Sequence, residues 1–259
     1  MSTGVKAVSS STTKTMLVLL PALNEAYNIS EVIQEVQALN PRPDVLVIDD
    51  GSSDETGAIA ARMGARVITM PFNCGIGASV QAGLRFGLER GYALIARLDS
   101  DGQHDPSALN ALRVPIDAGE ADFVLGSRYL EKGGFASTFA RRLGRRWFTL
   151  LLRLVCRLRI TDPTSGCWMA NRTAAAVLHR EHSFDYPEVD SLVYLQRNRC
   201  AIQELPVTMR SRFSGRSSID GSKILYYMLK VTIALLIGRV RSPMPSDRSM
   251  AEKSKSDVN

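Results

Sequence analysis

The sequence VLVIDDGSSDET, residues 45–56, predicts a buried strand, a tight acidic turn and the start of a helix. Four consecutive apolar residues, Val45 to Ile48, are typical of a strand that is buried on both faces. Asp50 and Gly51 suit the turn, because aspartate accepts backbone hydrogen bonds and glycine allows a positive φ. Asp54 suits the first turn of a helix. A strand that leads through a short turn into a helix is the unit of a parallel α/β sheet.

The same pattern occurs on both sides of this stretch. Met16 to Leu20 predicts an earlier strand that is closed by Pro21, and residues 93–98 predict a later one. Helices over 28–39, 54–63 and 76–90 and a short strand over 66–69 complete the pattern. Strands that alternate with helices indicate the fold class α/β, with a mainly parallel central sheet flanked by helices.

The pattern is less regular after residue 110. We expect strands over 122–126 and 201–209, a helix over 187–198, a glycine-containing loop over 161–172 and a mostly apolar helix over 223–240. The polar tails 1–15 and 242–259 are expected to be disordered. These assignments give one domain over residues 16–222 and a C-terminal apolar helix over 223–241. Residues 1–15 contain no apolar run, so no secretory signal is expected.

Charge is unevenly distributed in this chain of 259 residues, which has a net charge of +6. Residues 138–160 contain no acidic residue and favour an anionic partner: a membrane surface, a nucleic acid or a phosphorylated substrate. Nucleic acid is not expected, because no RNA- or DNA-binding module accompanies the basic segment. The basic residues of the segment are Arg141, Arg142, Arg145, Arg146, Arg153, Arg157 and Arg159.

The four cysteines, Cys74, Cys156, Cys167 and Cys200, have no metal-binding spacing. We expect them to be buried, small apolar residues in a reducing compartment.

Three polar clusters each follow a predicted strand directly: PALNE at 21–25, DDGSSDET at 49–56 and DSDGQHDP at 99–106. Because ligands of parallel sheets bind at the carboxyl ends of the strands, we expect these clusters to converge. Asp99 and Asp101 can bind a hard divalent ion together with diphosphate oxygens. The alternative for each cluster is a solvated turn with helix caps, a role that we expect for Asp105.

Six sequence blocks resemble, in order, those of family 2 glycosyltransferases, and most closely those of the dolichol- or polyprenyl-phosphate sugar transferases. The resemblance implies a GT-A fold, an inverting mechanism, a nucleotide-sugar donor and Mg²⁺ or Mn²⁺ as cofactor. The blocks are LLPALNE, VIDDGSSDET, DSDGQHDP, GSRY, DPTSGCWMANR and IQELPVTMRSRFSGRSS, between residues 19 and 218.

The resemblance also implies roles for individual residues. The residues expected at the nucleotide sugar are Pro21, Ala22, Asn24, Glu25, Asp50, Ser52 and Asp99. The expected metal ligands are Asp99, Asp101 and Gln103. The residues expected at the acceptor phosphate are Arg128, Arg212 and Ser217, and those expected to be catalytic are Asp190, Asp101 and Arg212. Cys167 and Trp168 depart from the commoner Phe-Arg pair, so an acceptor contact is expected to differ.

The expected reaction is transfer of a hexose from a UDP- or GDP-linked donor to a polyprenyl or dolichyl phosphate. A lipid phosphate is already ionised and needs no base, whereas a hydroxyl acceptor, the alternative, would need Asp190 to take its proton. A nucleotidyltransferase is disfavoured, because PALNE is not a glycine-rich phosphate loop. A non-catalytic binding protein is also disfavoured, because Asp99, Asp101 and Gln103 are all present.

Leucine and aromatic residues share residues 147–158 with the arginines, which is typical of a helix lying in the lipid headgroup layer. The alternative is an ordinary helix that packs on the sheet. The apolar run 224–237 contains Lys230 and is shorter than the roughly 20 residues that span a bilayer. We therefore expect a cytoplasmic protein that is peripheral on the cytoplasmic face of the membrane. Trp168 is expected in the core or in a pocket wall.

Overall fold

The structure is a computed structural model that describes residues 15–130, 139–181, 187–210 and 232–233. The strands are β1 (Met16–Ala22), β2 (Asp44–Asp49), β3 (Arg66–Thr69), β4 (Leu94–Arg97), β5 (Phe123–Ser127), β6 (Trp168–Asn171) and β7 (Ile202–Pro206). The helices are α1 (Ile29–Gln37), α2 (Thr56–Arg62), α3 (Ile76–Glu89), α4 (Ala108–Asp117), α5 (Phe139–Leu151), α6 (Arg172–Glu181) and α7 (Pro187–Arg197). A π-helical turn, Leu152–Cys156, continues α5.

In the described part of the chain, seven strands form one sheet in the order β3-β2-β1-β4-β6-β5-β7. The first four strands pair in parallel, and β5 is parallel to β7. Only β6, of the described strands, is antiparallel to its neighbours β4 and β5. The predicted α/β class with a mainly parallel sheet is confirmed.

Two local predictions were wrong. The glycine-containing loop predicted over 161–172 ends in β6, and α6 follows it directly. Pro21 does not close β1, which continues to Ala22. A proline is tolerated there because β4 ends opposite Leu19, so the last residues of β1 pair with β2 alone.

The core lies on both faces of the sheet, because successive residues of a strand point to opposite sides. Leu17 and Leu19 of β1 pack on one face with residues of α3, α6 and α7. Val18 and Leu20 pack on the other face with residues of α1 and α4. Burial on both faces explains why β1 and β2 are continuous apolar runs rather than alternating ones.

The C-terminal part of the chain lies mostly outside the described residues. The predicted apolar helix over 223–241 and both predicted disordered tails fall there, apart from residues 232–233, which are helical. Within the segments that the structure describes, no helix combines the length and the apolar composition needed to cross a membrane.

Helix α3 approaches the sheet closely at a glycine. A Cβ atom added to Gly87 would lie 2.5 Å from Cδ1 of Ile95 and 3.2 Å from Cδ2 of Leu17. No side chain therefore fits between α3 and the central strands at this position without displacing the core.

We expect Gly87→Val to lower the free energy of unfolding by about 1–3 kcal/mol, because it overpacks this contact. Urea unfolding monitored by circular dichroism measures the loss. Arg85→Val, on the exposed side of α3, is the control for placing a β-branched residue in the helix, and should change stability by less than about 1 kcal/mol. Equal losses in the two variants would contradict the close packing of α3.

Candidate active site

The polar clusters meet at the point where the order of the strands in the sheet reverses. From β1, the chain proceeds to β2 on one side and later to β4 on the other, so the carboxyl ends of β1 and β4 border a crevice. The hydroxyl of Ser100, after β4, donates a 2.8 Å hydrogen bond to the carbonyl of Pro21 in β1. Pro21 and Ala22 themselves are buried at the end of the strand.

The loops after β1 and β2 are joined by hydrogen bonds. The amide of Asn24, which adopts a φ of +56°, donates to Oγ of Ser52 at 2.9 Å. Oδ1 of Asn24 accepts from the amide of Ser53 at 2.8 Å. The Glu25 amide donates to Oγ1 of Thr56 at 2.9 Å. Residues predicted to bind a nucleotide sugar thus lie together in one hydrogen-bonded surface.

Asp50 is buried and supports a third loop. Its Oδ1 accepts from the amide of Cys74 at 2.8 Å, and its Oδ2 accepts from the amide of Gly75 at 2.9 Å. Asp50 therefore fixes the start of α3 against the crevice. Cys74 is only half-buried, which differs from the expectation for the cysteines, whereas Cys156, Cys167 and Cys200 are buried.

Asp99 is held by a buried cation. Its Oδ1 lies 3.0 Å from Nη2 of Arg97, and its Oδ2 lies 3.7 Å from Nε2 of the buried His104. Burial is the largest influence and raises the pKa of the Asp99 carboxyl, but the Arg97 guanidinium and His104 together outweigh it and hold this pKa well below its usual range. Asp99 is thus a carboxylate at neutral pH.

The backbone behind Asp99 has room only for glycine. A Cβ atom at Gly166 would overlap both carboxylate oxygens of Asp99. The segment that contains Gly166 leads into β6, so the antiparallel strand brings this glycine up to the end of β4. This close approach limits the positions that the Asp99 carboxylate can adopt.

Asp101 and Asp105 have different surroundings. Asp101 is buried, and its Oδ1 accepts from the amide of Gln103 at 3.1 Å. Asp105 accepts from the amide of Ser107 at 2.9 Å, just before α4, and its Oδ2 lies 2.8 Å from Nη2 of Arg210. Asp105 therefore supports the entry to α4, near the predicted capping role, although Ser107 occupies the N-cap position itself.

The donor set fits a divalent cation. Among the residues that the structure describes, no three His, Cys, Asp or Glu side chains cluster as a metal cage. Mg²⁺, however, is usually bound by one or two carboxylates and completes its coordination with water and substrate phosphates. Asp99 and Asp101 supply two carboxylates, and the Asp99 side chain is 38% exposed. Gln103 adds a neutral oxygen.

Arg128 lies beside the crevice in a network of its own. Its Nε donates to Oδ2 of the buried Asp162 at 2.6 Å, and its Nη2 donates to Oδ1 at 2.7 Å. Glu204 accepts from the amide of Asp162 at 2.8 Å. The guanidinium of Arg145 stacks on the ring of Tyr129 at 4.1 Å. Arg128 thus positions the loop that precedes β6, and its contact with an acceptor phosphate stays a prediction.

The remaining predicted residues lie on α7 or outside the described residues. Asp190 is buried on α7. Arg212 and Ser217 fall outside the described residues. The amide of Arg210, shortly before them, donates to the carbonyl of Gln103 at 2.8 Å. The chain is therefore brought to the predicted metal ligands immediately before it reaches Arg212.

Sequence reasoning missed Arg97, Glu188 and Gly166. Nη1 of Arg97 donates to Oε1 of Glu188 on α7 at 3.0 Å, so one guanidinium contacts both Asp99 and Glu188. A signal was present, because an arginine in a buried strand requires a partner. The identity of that partner, 91 residues away, could not be read from the chain.

This α/β sheet, with loops that carry carboxylates at the point where the strand order reverses, has the architecture of a GT-A fold. The family described as glycosyl transferase family 2 matches residues 17–178. The polyprenol monophosphomannose synthase of Mycolicibacterium smegmatis is 32% identical over 241 residues, covering 88% of this chain and 89% of its own. The chain therefore belongs to glycosyl transferase family 2.

Two further proteins are similar. The undecaprenyl-phosphate mannosyltransferase of Micrococcus luteus is 31% identical over 226 residues, covering 84% of this chain and 92% of its own. The glucosyl-3-phosphoglycerate synthase of Mycobacterium tuberculosis, in a crystal structure with Mn²⁺ and UDP-glucose, has a TM-score of 0.63 and 26% identity. That match covers 87% of this chain and 79% of that one.

We expect Gly166→Ala to lower glycosyltransferase activity on the order of 100-fold, because the added methyl group displaces the Asp99 carboxylate. Turnover and thermal unfolding are measured side by side. Gly119→Ala is the control: Gly119 has a φ of +73° and open space around it, so this change strains the backbone away from the crevice. Full activity in Gly166→Ala would show that Asp99 need not occupy its observed position.

Proposed function

We propose that this glycosyltransferase transfers a hexose, with inversion, from a UDP- or GDP-linked donor to a polyprenyl or dolichyl phosphate. The observation that carries the proposal is the placement of Asp99 and Asp101 at the carboxyl end of β4, beside the loop that follows β1. The two mannosyl-transferring relatives, similar over most of their length, support a polyprenyl phosphate as the acceptor.

The loops after β1 and β2 form the proposed nucleoside site. Asn24 and Ser52 already hold these loops together, and Asp50 fixes the neighbouring loop. Carboxylate and carbonyl oxygens accept hydrogen bonds from ribose hydroxyls and from base N–H groups. The proposed nucleotide-sugar ligands are Pro21, Ala22, Asn24, Glu25, Asp50, Ser52 and Asp99.

Asp99, Asp101 and Gln103 would hold Mg²⁺ or Mn²⁺ at the diphosphate. A divalent cation bound there supplies Lewis-acid stabilisation of the negative charge on the departing nucleoside diphosphate. The role of the protein is to hold these oxygens in place. For Asp99, Nη2 of Arg97 donates a hydrogen bond to Oδ1 at 3.0 Å, and Arg97 and His104 together lower the pKa of the carboxyl against the opposing effect of burial.

The acceptor phosphate oxygen attacks the anomeric carbon on the face opposite the diphosphate. The new carbon–oxygen bond forms as the bond to the diphosphate breaks, which inverts the anomeric centre. Arg128, Arg212 and Ser217 would orient the acceptor phosphate, and fixed orientation is a large part of the rate enhancement. A lipid phosphate enters as an anion, so no proton has to be removed.

We expect the purified protein to form a hexosyl polyprenyl phosphate when it is screened with UDP- and GDP-hexoses, Mn²⁺ and a short polyprenyl phosphate. Product mass identifies the donor and the acceptor. Asp101→Asn should lower turnover roughly 100-fold or more, because the diphosphate loses charge stabilisation. Asp117→Asn, on the exposed end of α4, is the matched control and should keep full activity.

Asp190→Asn separates the two acceptor classes. With a lipid phosphate as acceptor, the variant should keep most of its turnover, because no base is required. With a hydroxyl acceptor, loss of the base should lower turnover by roughly 100- to 10,000-fold. Calorimetric binding of the donor confirms that the variant is folded. Loss of turnover with intact donor binding would favour the hydroxyl acceptor over our proposal.

Helix α5 and the π-helical turn support attachment to a membrane surface from the cytoplasmic side. Phe148 and Leu152 are buried against the sheet. A second apolar row, spaced at three or four residues, is exposed instead, and Arg142, Arg146 and Arg153 are exposed beside it. Such a helix can bury its apolar row among lipid acyl chains while its arginines meet anionic headgroups. The exposed row is Leu143, Trp147, Leu150 and Leu154.

We expect the double variant Leu150→Gln/Leu154→Gln to bind vesicles at least tenfold more weakly, since each leucine side chain contributes about 1 kcal/mol or more when it enters lipid. Co-sedimentation with phosphatidylcholine vesicles, with and without phosphatidylglycerol, measures binding. Val114→Gln, at an exposed apolar position on α4, is the control. Binding that is equal in the double variant and the wild-type protein would rule out α5 as the contact surface.

A further inference from the structure

Arg97 is a charged residue in an apolar part of the sheet. It is the last residue of β4, and its side chain is 4% exposed. Its register neighbours on the adjoining strands are Leu19 and Trp168, both apolar. A guanidinium in such surroundings is strongly unfavourable unless it is paired, so its partners determine why an arginine is there.

The partners of Arg97 come from two separate elements. Nη2 donates to Oδ1 of Asp99 in the loop after β4, and Nη1 donates to Oε1 of Glu188 on α7, each at 3.0 Å. The Glu188 side chain is 17% exposed. Because the guanidinium is planar and rigid, two hydrogen bonds from its two terminal nitrogens fix the carboxylates relative to each other.

The bridge connects the loop after β4 with helix α7. The loop after β4 carries Asp101 as well as Asp99, whereas α7 carries Asp190 two residues after Glu188. A Cβ atom at Gly166 would overlap the Asp99 carboxylate, so this carboxylate is closely packed. Arg97, which is paired with Glu188 of α7, sets its orientation together with His104, whose Nε2 lies 3.7 Å from Oδ2 of Asp99.

We propose that Arg97 is a positioning residue that fixes the loop after β4 relative to α7 by bridging Asp99 and Glu188. In this role Arg97 does not contact the substrates. It keeps the Asp99 carboxylate in the orientation in which that carboxylate and Asp101 together receive a divalent cation and a nucleoside diphosphate. The inference rests on the proposed function for the identity of these ligands.

The test is a double-mutant cycle on Arg97→Lys and Glu188→Gln. Lysine keeps the charge but cannot form two fixed hydrogen bonds, and glutamine keeps the size of glutamate without its charge. Binding of Mn²⁺ in the presence of UDP or GDP is followed by the electron paramagnetic resonance signal of free Mn²⁺. Thermal unfolding and the donor KM are measured on the same samples.

Each single variant should bind Mn²⁺ with nucleotide roughly 10- to 100-fold more weakly and show a raised donor KM, as when a supporting partner of a metal ligand is removed. The double variant should be no weaker than the weaker single variant, because both changes break the same bridge. The matched control is Arg113→Lys with Asp117→Asn, an ion pair on α4 with an Nε–Oδ2 distance of 2.7 Å. These changes should leave Mn²⁺ binding unaltered.

The outcomes separate this inference from the proposed function. If the wild-type protein fails to bind Mn²⁺ both in the presence of UDP and in the presence of GDP, the proposed metal-dependent reaction is overturned, and the inference with it. If the wild-type protein binds and both single variants bind equally well, the role of Arg97 is overturned and the proposed reaction stands. If the losses of Mn²⁺ affinity in the two single variants multiply in the double variant, the bridge is also overturned. Glu188→Gln is the milder change. If Arg97→Lys does not fold, Mn²⁺ binding by Glu188→Gln alone tests the inference.

Discussion

The pairing of β1 with β4 is the contact on which the crevice depends. These strands are far apart in the sequence but adjacent in the sheet, and they run parallel, so the loops at their carboxyl ends meet. The hydrogen bond from Ser100 to Pro21 ties the two loops together. Helix α3 packs on one face of the sheet and helix α4 on the other. The crevice is thus bordered by the ends of buried strands and by the loops that follow them.

Charge is the second constraint, because several carboxylates lie close together at one edge of the sheet. The negative charge of each carboxylate is balanced by different partners. Asp50 receives two backbone amides, Asp99 faces the Arg97 guanidinium, and Asp162 is paired with Arg128. Glu204 accepts further backbone amides. Each carboxylate thus has local partners of its own, and carboxylate oxygens are the groups that can accept hydrogen bonds from a nucleotide or coordinate a cation.

The sequence predicted the parallel half of the sheet well, because its strands are apolar runs followed directly by polar turns. The placement of Asp50, Asp99 and Asp101 at one edge followed from that pattern. Strand β6 was missed because it is four residues long and follows a proline- and glycine-containing turn. Contacts between distant residues, such as Arg97 with Glu188, depend on packing that no local pattern encodes.

The final described segment before residue 211 is attached to the loop after β4 by backbone and side-chain contacts. Met209 forms an antiparallel bridge with His104, and the amide of Arg210 donates to the carbonyl of Gln103. The Arg210 side chain also pairs with Glu35 and Asp105. The chain that continues toward Arg212 and Ser217 thus leaves the described structure from a point that is fixed to the loop after β4.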